Sequence, residues 1–135
     1  KTVLDMGCGT AILAILASKL GSGDLVAIDN DEVCYESTLE NATLNNIKNI
    51  TAMCGSKEII PEQKFDVILA NINRNILLDQ ISSYAAVLAV NVTIFFSGFY
   101  ETPDLDIITE EARKYNLKYI SHKKIGQWVA AKFVI

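Results

Sequence analysis

Three features of this sequence have the residue types and spacing for chemistry. They are a glycine turn preceded by an acid, a second acid closing the next apolar run, and an asparagine closing a later one. The first is Asp5-Met6-Gly7-Cys8-Gly9-Thr10-Ala11. Glycines at 7 and 9 let the backbone bend sharply and approach a ligand closely. A helix opening at once after them turns its free N–H groups to the same place. A dinucleotide turn needs a third glycine where this chain has Ile12, and a bulky side chain there is expected to obstruct close helix–strand packing. Asp5 beside the turn suits a cation rather than phosphates. S-adenosyl-L-methionine has that character, with an ammonium, a sulfonium and no phosphate. Contacts to this cofactor are therefore expected from Asp5, Gly7, Cys8 and Gly9.

Asp29 ends the next apolar run, at the carboxyl end of the strand beside the first. From there a carboxylate accepts hydrogen bonds from both ribose hydroxyls. Asn30 follows it and adds a polar contact near the adenosine. A tight turn and a loop acid explain each feature singly; their order and spacing together favour the cofactor. Ser56, after the third strand, has two open readings, a contact to the adenine edge or a simple turn of the chain.

The run 65–70 leads into Asn71-Ile72-Asn73-Arg74. A strand there neighbours the first, so Asn71 is expected over a transferred methyl group and is the candidate catalytic residue. Methyl transfer to an amine is an in-line displacement that needs a neutral amine aimed at the carbon. The Asn71 oxygen accepts an N–H and aims it, and the proton leaves to solvent or to the substrate. The alternative for Asn71 is a cap on the following helix. Arg74 is expected on a solvated face rather than on substrate, His122 in a structural or exposed place on an outer strand, and Trp128 in the core.

These residues need a frame. Strands are expected at 2–5, 25–29, 50–54, 65–70, 92–97, 118–122 and 128–134, with helices at 11–20, 31–46, 76–88 and 105–115. Gly21 stops the first helix. Asp31 caps the second, whose face is expected to carry Tyr35, Leu39 and Ala42. The interval 55–64 is too short for a full helix. Alternation of strand and helix implies a parallel sheet, and residues 123–127 are too few for a crossover, so the last two strands pair as an antiparallel hairpin. The expected fold is α/β: a doubly wound, Rossmann-like, seven-stranded, mostly parallel sheet ending in that hairpin.

The chain has 135 residues, half of them hydrophobic, and a net charge of −4. That suits one domain and argues against a general nucleic-acid binder, which carries a basic face. Three scattered cysteines fit neither a metal site nor a disulfide framework and point to a reducing, cytoplasmic setting. No apolar run reaches the roughly 18 residues of a membrane span.

The strings VLDMGCGTAILAILASKLG, VAIDNDE, FDVILANINRNILL, SGFYE and GQWVA together resemble the ribosomal protein L-eleven methyltransferases, also called PrmA. The resemblance runs nearly the whole chain. It implies S-adenosylmethionine as methyl donor and methylation of lysine or N-terminal amines on a protein of the large ribosomal subunit. It carries cofactor contacts onto Gly7, Asp29 and Asn71. Family members have an upstream domain that recognises the ribosomal protein, and this sequence opens directly on its first strand, so that domain is expected to be absent here. Where the family has Pro-Gly-Gly before the fifth strand, this chain has Ala89-Val90-Asn91. Two other classes stay open. One is a methyltransferase acting on a nucleic-acid or small-molecule amine, against which Ile72-Asn73-Arg74 stands in place of the prolines and aromatic that clamp a flipped base. The other is a cofactor-binding module without activity. The oligomeric state is open as well.

Overall fold

A computed structural model of the chain describes residues 1–9 and 11–135, and their side chains except those of 90–92. Thr10 of the turn string lies outside it. The elements run β1 (Val3–Met6), α1 (Ile12–Lys19), β2 (Leu25–Asp29), α2 (Glu32–Leu44), β3 (Ile50–Cys54), β4 (Phe65–Asn71), α3 (Arg74–Val87), β5 (Leu88–Tyr100), α4 (Asp106–Arg113), β6 (Lys118–Ile125) and β7 (Trp128–Val134). The single turn Lys57–Ile59 stands where a crossover helix would, as the short interval predicts. Residues 89–91, expected in a turn, belong to β5, which starts four residues early.

One seven-stranded sheet has the order β3-β2-β1-β4-β5-β7-β6. The first five strands in that order are parallel, and β7 runs antiparallel to both β5 and β6. The chain builds outward from β1 to β3, then returns to place β4 on the other side of β1. The carboxyl ends of β1 and β4 therefore diverge at a switch point, where open α/β sheets hold ligands.

Alternate residues of β1 serve opposite faces, as the period of two requires. Leu4 and Met6 join the larger core with Ile68, Tyr84, Phe96 and Phe133. Val3 packs with Ala11, Ala14, Ile15 and Leu25 on the other face. Both faces are thus covered, which suits strands with near-continuous apolar runs. In α3 the buried residues Leu77, Gln80, Ile81 and Tyr84 follow the i, i+3, i+4, i+7 spacing of one helical stripe.

Two expectations about helix faces need correction. In α2 the buried positions are Thr38 and Ala42, whereas Leu39 is exposed. The Thr38 hydroxyl donates to the Gly9 carbonyl at 3.2 Å, so a polar bond to the glycine turn sets the rotation of this helix rather than its larger apolar residues. In α1, Ile12 is 70% exposed and obstructs nothing. The residue seated against the sheet at that point is Ala11, fully buried with φ of 67°. The caps follow the sequence: Asp31 accepts from the Val33 amide at 2.8 Å, and Gly21, with φ of 98°, ends α1. Among the described residues no helix is long and apolar enough to cross a membrane.

Candidate functional site

The ends of β1, β2, β3 and β4 surround a cleft of about 230 Å³. Gly7, Asp29, Asn30, Ser56 and Asn71 all line it. The structure thus brings together five of the eight residues singled out from the sequence, drawn from four separate strand ends.

Gly7 ends β1 with φ of 69°, and a Cβ there would lie 2.4 Å from Ile72 Cγ2. Only glycine lets the turn pass this close to the exit of β4. The Gly7 and Cys8 amides both donate to the Ile28 carbonyl, at 2.8 and 3.1 Å, which fastens the turn to β2. Gly9 has φ of 56° and open space around it, so its requirement is conformational rather than steric. Its amide donates to Asp29 Oδ2 at 3.0 Å, and the Asp31 amide donates to Asp29 Oδ1 at 3.0 Å. A carboxylate has about four lone-pair sites. One amide on each oxygen leaves each with capacity for a further donor, which matches a vicinal diol.

Cys8, Gly9 and Asp5 do not line the cleft. The Cys8 thiol lies 3.4 Å from the Thr38 hydroxyl, and burial pushes its pKa up to about 11, so it stays a neutral thiol at ordinary pH. Asp5 is 1% exposed, and neither carboxylate oxygen has a hydrogen-bond partner among the described residues. By strand alternation it faces α1. Burial raises its pKa from 3.8 to about 7; the nearby Ala14 amide opposes the rise without making a well-formed hydrogen bond, and the Asp29 charge adds to it.

Asn71 closes β4 beside Ser97 of β5. The helix cap that might have claimed it is supplied by Asn73, whose Oδ1 accepts from the Ile76 amide at 3.1 Å. The Asn71 side chain is exposed and bonds to no other described residue. Its Oδ1 lies against the bare Cα of Gly98, where a Cβ would come within 2.7 Å. On the far side of Asn71 is a second cleft, lined by Leu13, Ser97, Gly98, Lys123, Ile125 and Trp128 among others. Asn71 is the one described residue lining both clefts.

Two expectations around the site change. Trp128 is not in the core: it is 56% exposed and packs on Tyr100 with ring centroids 4.7 Å apart. β7 meets β5 with Trp128 opposite Tyr100 at the strand end, so the ring overhangs the sheet instead of entering it. Arg74 does not lie on a purely solvated face but pairs with the largely buried Asp104 at 3.1 Å. Asp104 also accepts from the Tyr100 amide at 3.0 Å, so the pair ties α3 to the end of β5. His122 is structural, as expected, bridging Tyr119 and Glu101 at 2.6 and 2.8 Å. Gln80 and Gly98 are site residues that the sequence reading missed. A glycine inside a strand run signalled the second; a glutamine on the apolar stripe of α3 signalled the first.

A sequence model of the family described as Ribosomal protein L11 methyltransferase (PrmA) matches residues 1–134. The Ribosomal protein L11 methyltransferase of Phocaeicola vulgatus is 46% identical, over 100% of this chain and 48% of its own. That of Porphyromonas gingivalis is 47% identical, over 97% and 45%. The chain spans about half the length of the curated relatives it matches. A crystal structure of ribosomal protein L11 methylase from Lactobacillus delbrueckii subsp. bulgaricus superposes with a TM-score of 0.92 at 32% identity, covering 98% of this chain and 68% of that one.

Proposed function

The chain belongs to the ribosomal protein L11 methyltransferase family, and on that premise we propose that it binds S-adenosylmethionine and transfers the methyl group to an amine of a ribosomal protein, a lysine side chain or an N-terminus. The observation carrying this reading is the position of Asn71, a side-chain amide with no hydrogen bond among the described residues, bordering two clefts at the switch point.

The residues present fit the cofactor. Asp29 keeps acceptor capacity for the two ribose hydroxyls, with Asn30 beside it. Gly7 opens the passage between the ends of β1 and β4. The Asp5 carboxylate, without a hydrogen-bond partner among the described residues, places latent negative charge behind the turn, which a cationic ligand complements. When bound, S-adenosylmethionine supplies a methyl group activated by its sulfonium.

The chain's own work is positioning. Asn71 Oδ1 accepts an N–H of the incoming amine and directs the nitrogen lone pair into the first cleft. Asn71 takes no proton, because an amide is not a base at neutral pH, so the proton leaves to water or to a substrate group. Leu13, Ile125 and Trp128 give the second cleft an apolar wall suited to the methylene stem of a lysine. Lys123 in the same wall disfavours a second positive charge and so favours the neutral, reactive amine.

Calorimetric titration with S-adenosylhomocysteine tests the cofactor half. No binding at millimolar ligand would sink it. Incubation with S-adenosylmethionine and large-subunit ribosomal proteins, read by mass spectrometry, tests the acceptor half. Asn71→Ala should lower turnover by about tenfold or more while changing S-adenosylhomocysteine affinity by less than about threefold. Unchanged turnover would remove the aiming role.

A further inference from the structure

The strand ends account for Asp29 and Asn71, but not for a glutamine and a tyrosine buried beneath the cleft. Gln80 and Tyr84 lie one turn apart on the buried stripe of α3, Gln80 at the cleft wall and Tyr84 fully enclosed. The Gln80 Nε2 donates to Ser56 Oγ at 2.9 Å, and the Tyr84 hydroxyl donates to Gln80 Oε1. Three side chains thus form a relay from the core to the cleft.

One proton fixes its direction. Burial, with the Asp79 charge adding, pushes the Tyr84 pKa above the ordinary phenol range, so the hydroxyl keeps its proton. A buried O–H requires an acceptor, and among the described residues the acceptor bonded to it is the Gln80 amide oxygen. The oxygen therefore faces Tyr84 and the NH₂ faces Ser56. One lone pair of Ser56 Oγ is then committed to Gln80, and the Ser56 proton is left for the cleft. Turning the Gln80 amide over reverses everything: the phenol proton loses its acceptor, and Ser56 spends its proton on Gln80.

Asp29 and Cys54 are paired neighbours across β2 and β3, and Ser56 lies two residues past Cys54. A base attached to a ribose on Asp29 therefore comes within reach of Ser56. We infer that Tyr84 and Gln80 are positioning residues that hold Ser56 as a hydrogen-bond donor to the ligand, selecting a heteroaromatic base with an unprotonated ring nitrogen. The inference rests on the cofactor reading above and deepens it: Ser56 contacts the adenine by donating to a ring nitrogen, not merely by turning the chain.

The test titrates the protein with S-adenosylhomocysteine and with its 1-deaza, 3-deaza and 7-deaza analogues, each with one ring nitrogen replaced by C–H. The unaltered protein should lose about tenfold in affinity for one of the three, a difference of about 1.4 kcal/mol. Ser56→Ala should bind that analogue and the parent compound within about threefold of each other. Tyr84→Phe keeps the ring and frees the amide, and should shrink the discrimination to the same range. Gln80→Leu provides the same readout should Tyr84→Phe fail to fold. If the unaltered protein binds all three analogues as tightly as the parent, Ser56 is not a donor to the base. If Tyr84→Phe and Gln80→Leu keep the full discrimination, the relay has no positioning role. Binding without discrimination overturns this inference alone, whereas no binding of the parent compound overturns the cofactor reading and this inference with it.

Discussion

Replacing Asp5 with Asn should make the protein more stable above neutral pH. Asp5 is 1% exposed and has no hydrogen-bond partner for either oxygen among the described residues. Burial is the main cause of its raised pKa, with the Asp29 charge contributing, and the value moves from 3.8 to about 7. Between those two pH values the folded protein holds a proton that the unfolded chain has released. Folding stability therefore falls as pH rises from about 4 to about 7. At 1.36 kcal/mol per pKa unit, the rise corresponds to roughly 4 kcal/mol as an upper bound. A domain of this size is stable by about 5–15 kcal/mol in total, so the loss is a large share. Asn matches the shape without the charge, but its amide brings buried donors of its own, at a cost of about 1–3 kcal/mol. The net gain for Asp5→Asn at pH 8 is then about 1–3 kcal/mol, and at pH 4.5 the variant should be equal to or weaker than the parent. Urea unfolding followed by circular dichroism at pH 4.5, 6, 7 and 8 measures both. The reasoning fails if the difference between the two proteins does not change sign or magnitude across that range, or if Asp5→Asn is the less stable protein at pH 8.

Further outcomes are expected. Asp29→Ala should weaken S-adenosylhomocysteine binding by roughly 1.5–3 kcal/mol, measured by calorimetry, since the ribose loses a charged acceptor; an unchanged affinity would place the ribose elsewhere. Gly98→Ala forces a side chain into a backbone with φ of 89° and into contact with Asn71 Oδ1. It should cost about 1–3 kcal/mol in thermal or urea unfolding and lower methyl transfer even where folding is retained. Ile12→Lys, on an exposed side chain, should stay within about 0.5 kcal/mol of the parent in the same unfolding assay, whereas Ala11→Lys should not.

The parallel alternation and the C-terminal hairpin were legible because they follow from chain length between apolar runs. Residues 123–127 leave no room for a crossover, and the hairpin turns at Gly126. The glycine turn and Asp29 were legible because local conformation and strand-end position depend on nearby sequence. What was hidden depends on tertiary contact. Leu39 has the spacing for burial, but Thr38 takes that direction because its partner is a carbonyl 29 residues away. Ile12 obstructs nothing because the left-handed backbone at Ala11 rotates the start of α1, and no composition rule predicts an alanine there. Trp128 reads as core by type, yet its place depends on where β5 ends opposite it. Gln80 showed in the sequence only as a glutamine on the apolar stripe of α3; its partners depend on tertiary contact, since Ser56 lies outside that helix.

The exit of β4 passes between two glycines, Gly7 pressing on the side chain of Ile72 and Gly98 on Asn71 and the Ile72 backbone. These positions do not vary independently. A side chain added at 7 keeps the strain of a φ of 69° but loses its clash if position 72 shrinks, whereas one added at 98 meets Asn71 Oδ1 at 2.7 Å and the Ile72 main chain at 3.1 Å, which no change at 72 removes. A search for second-site suppressors should therefore recover small residues at 72 for Gly7 variants and nothing at 72 for Gly98 variants. The two glycines look alike in sequence, but one marks a negotiable boundary of the site and the other a fixed one.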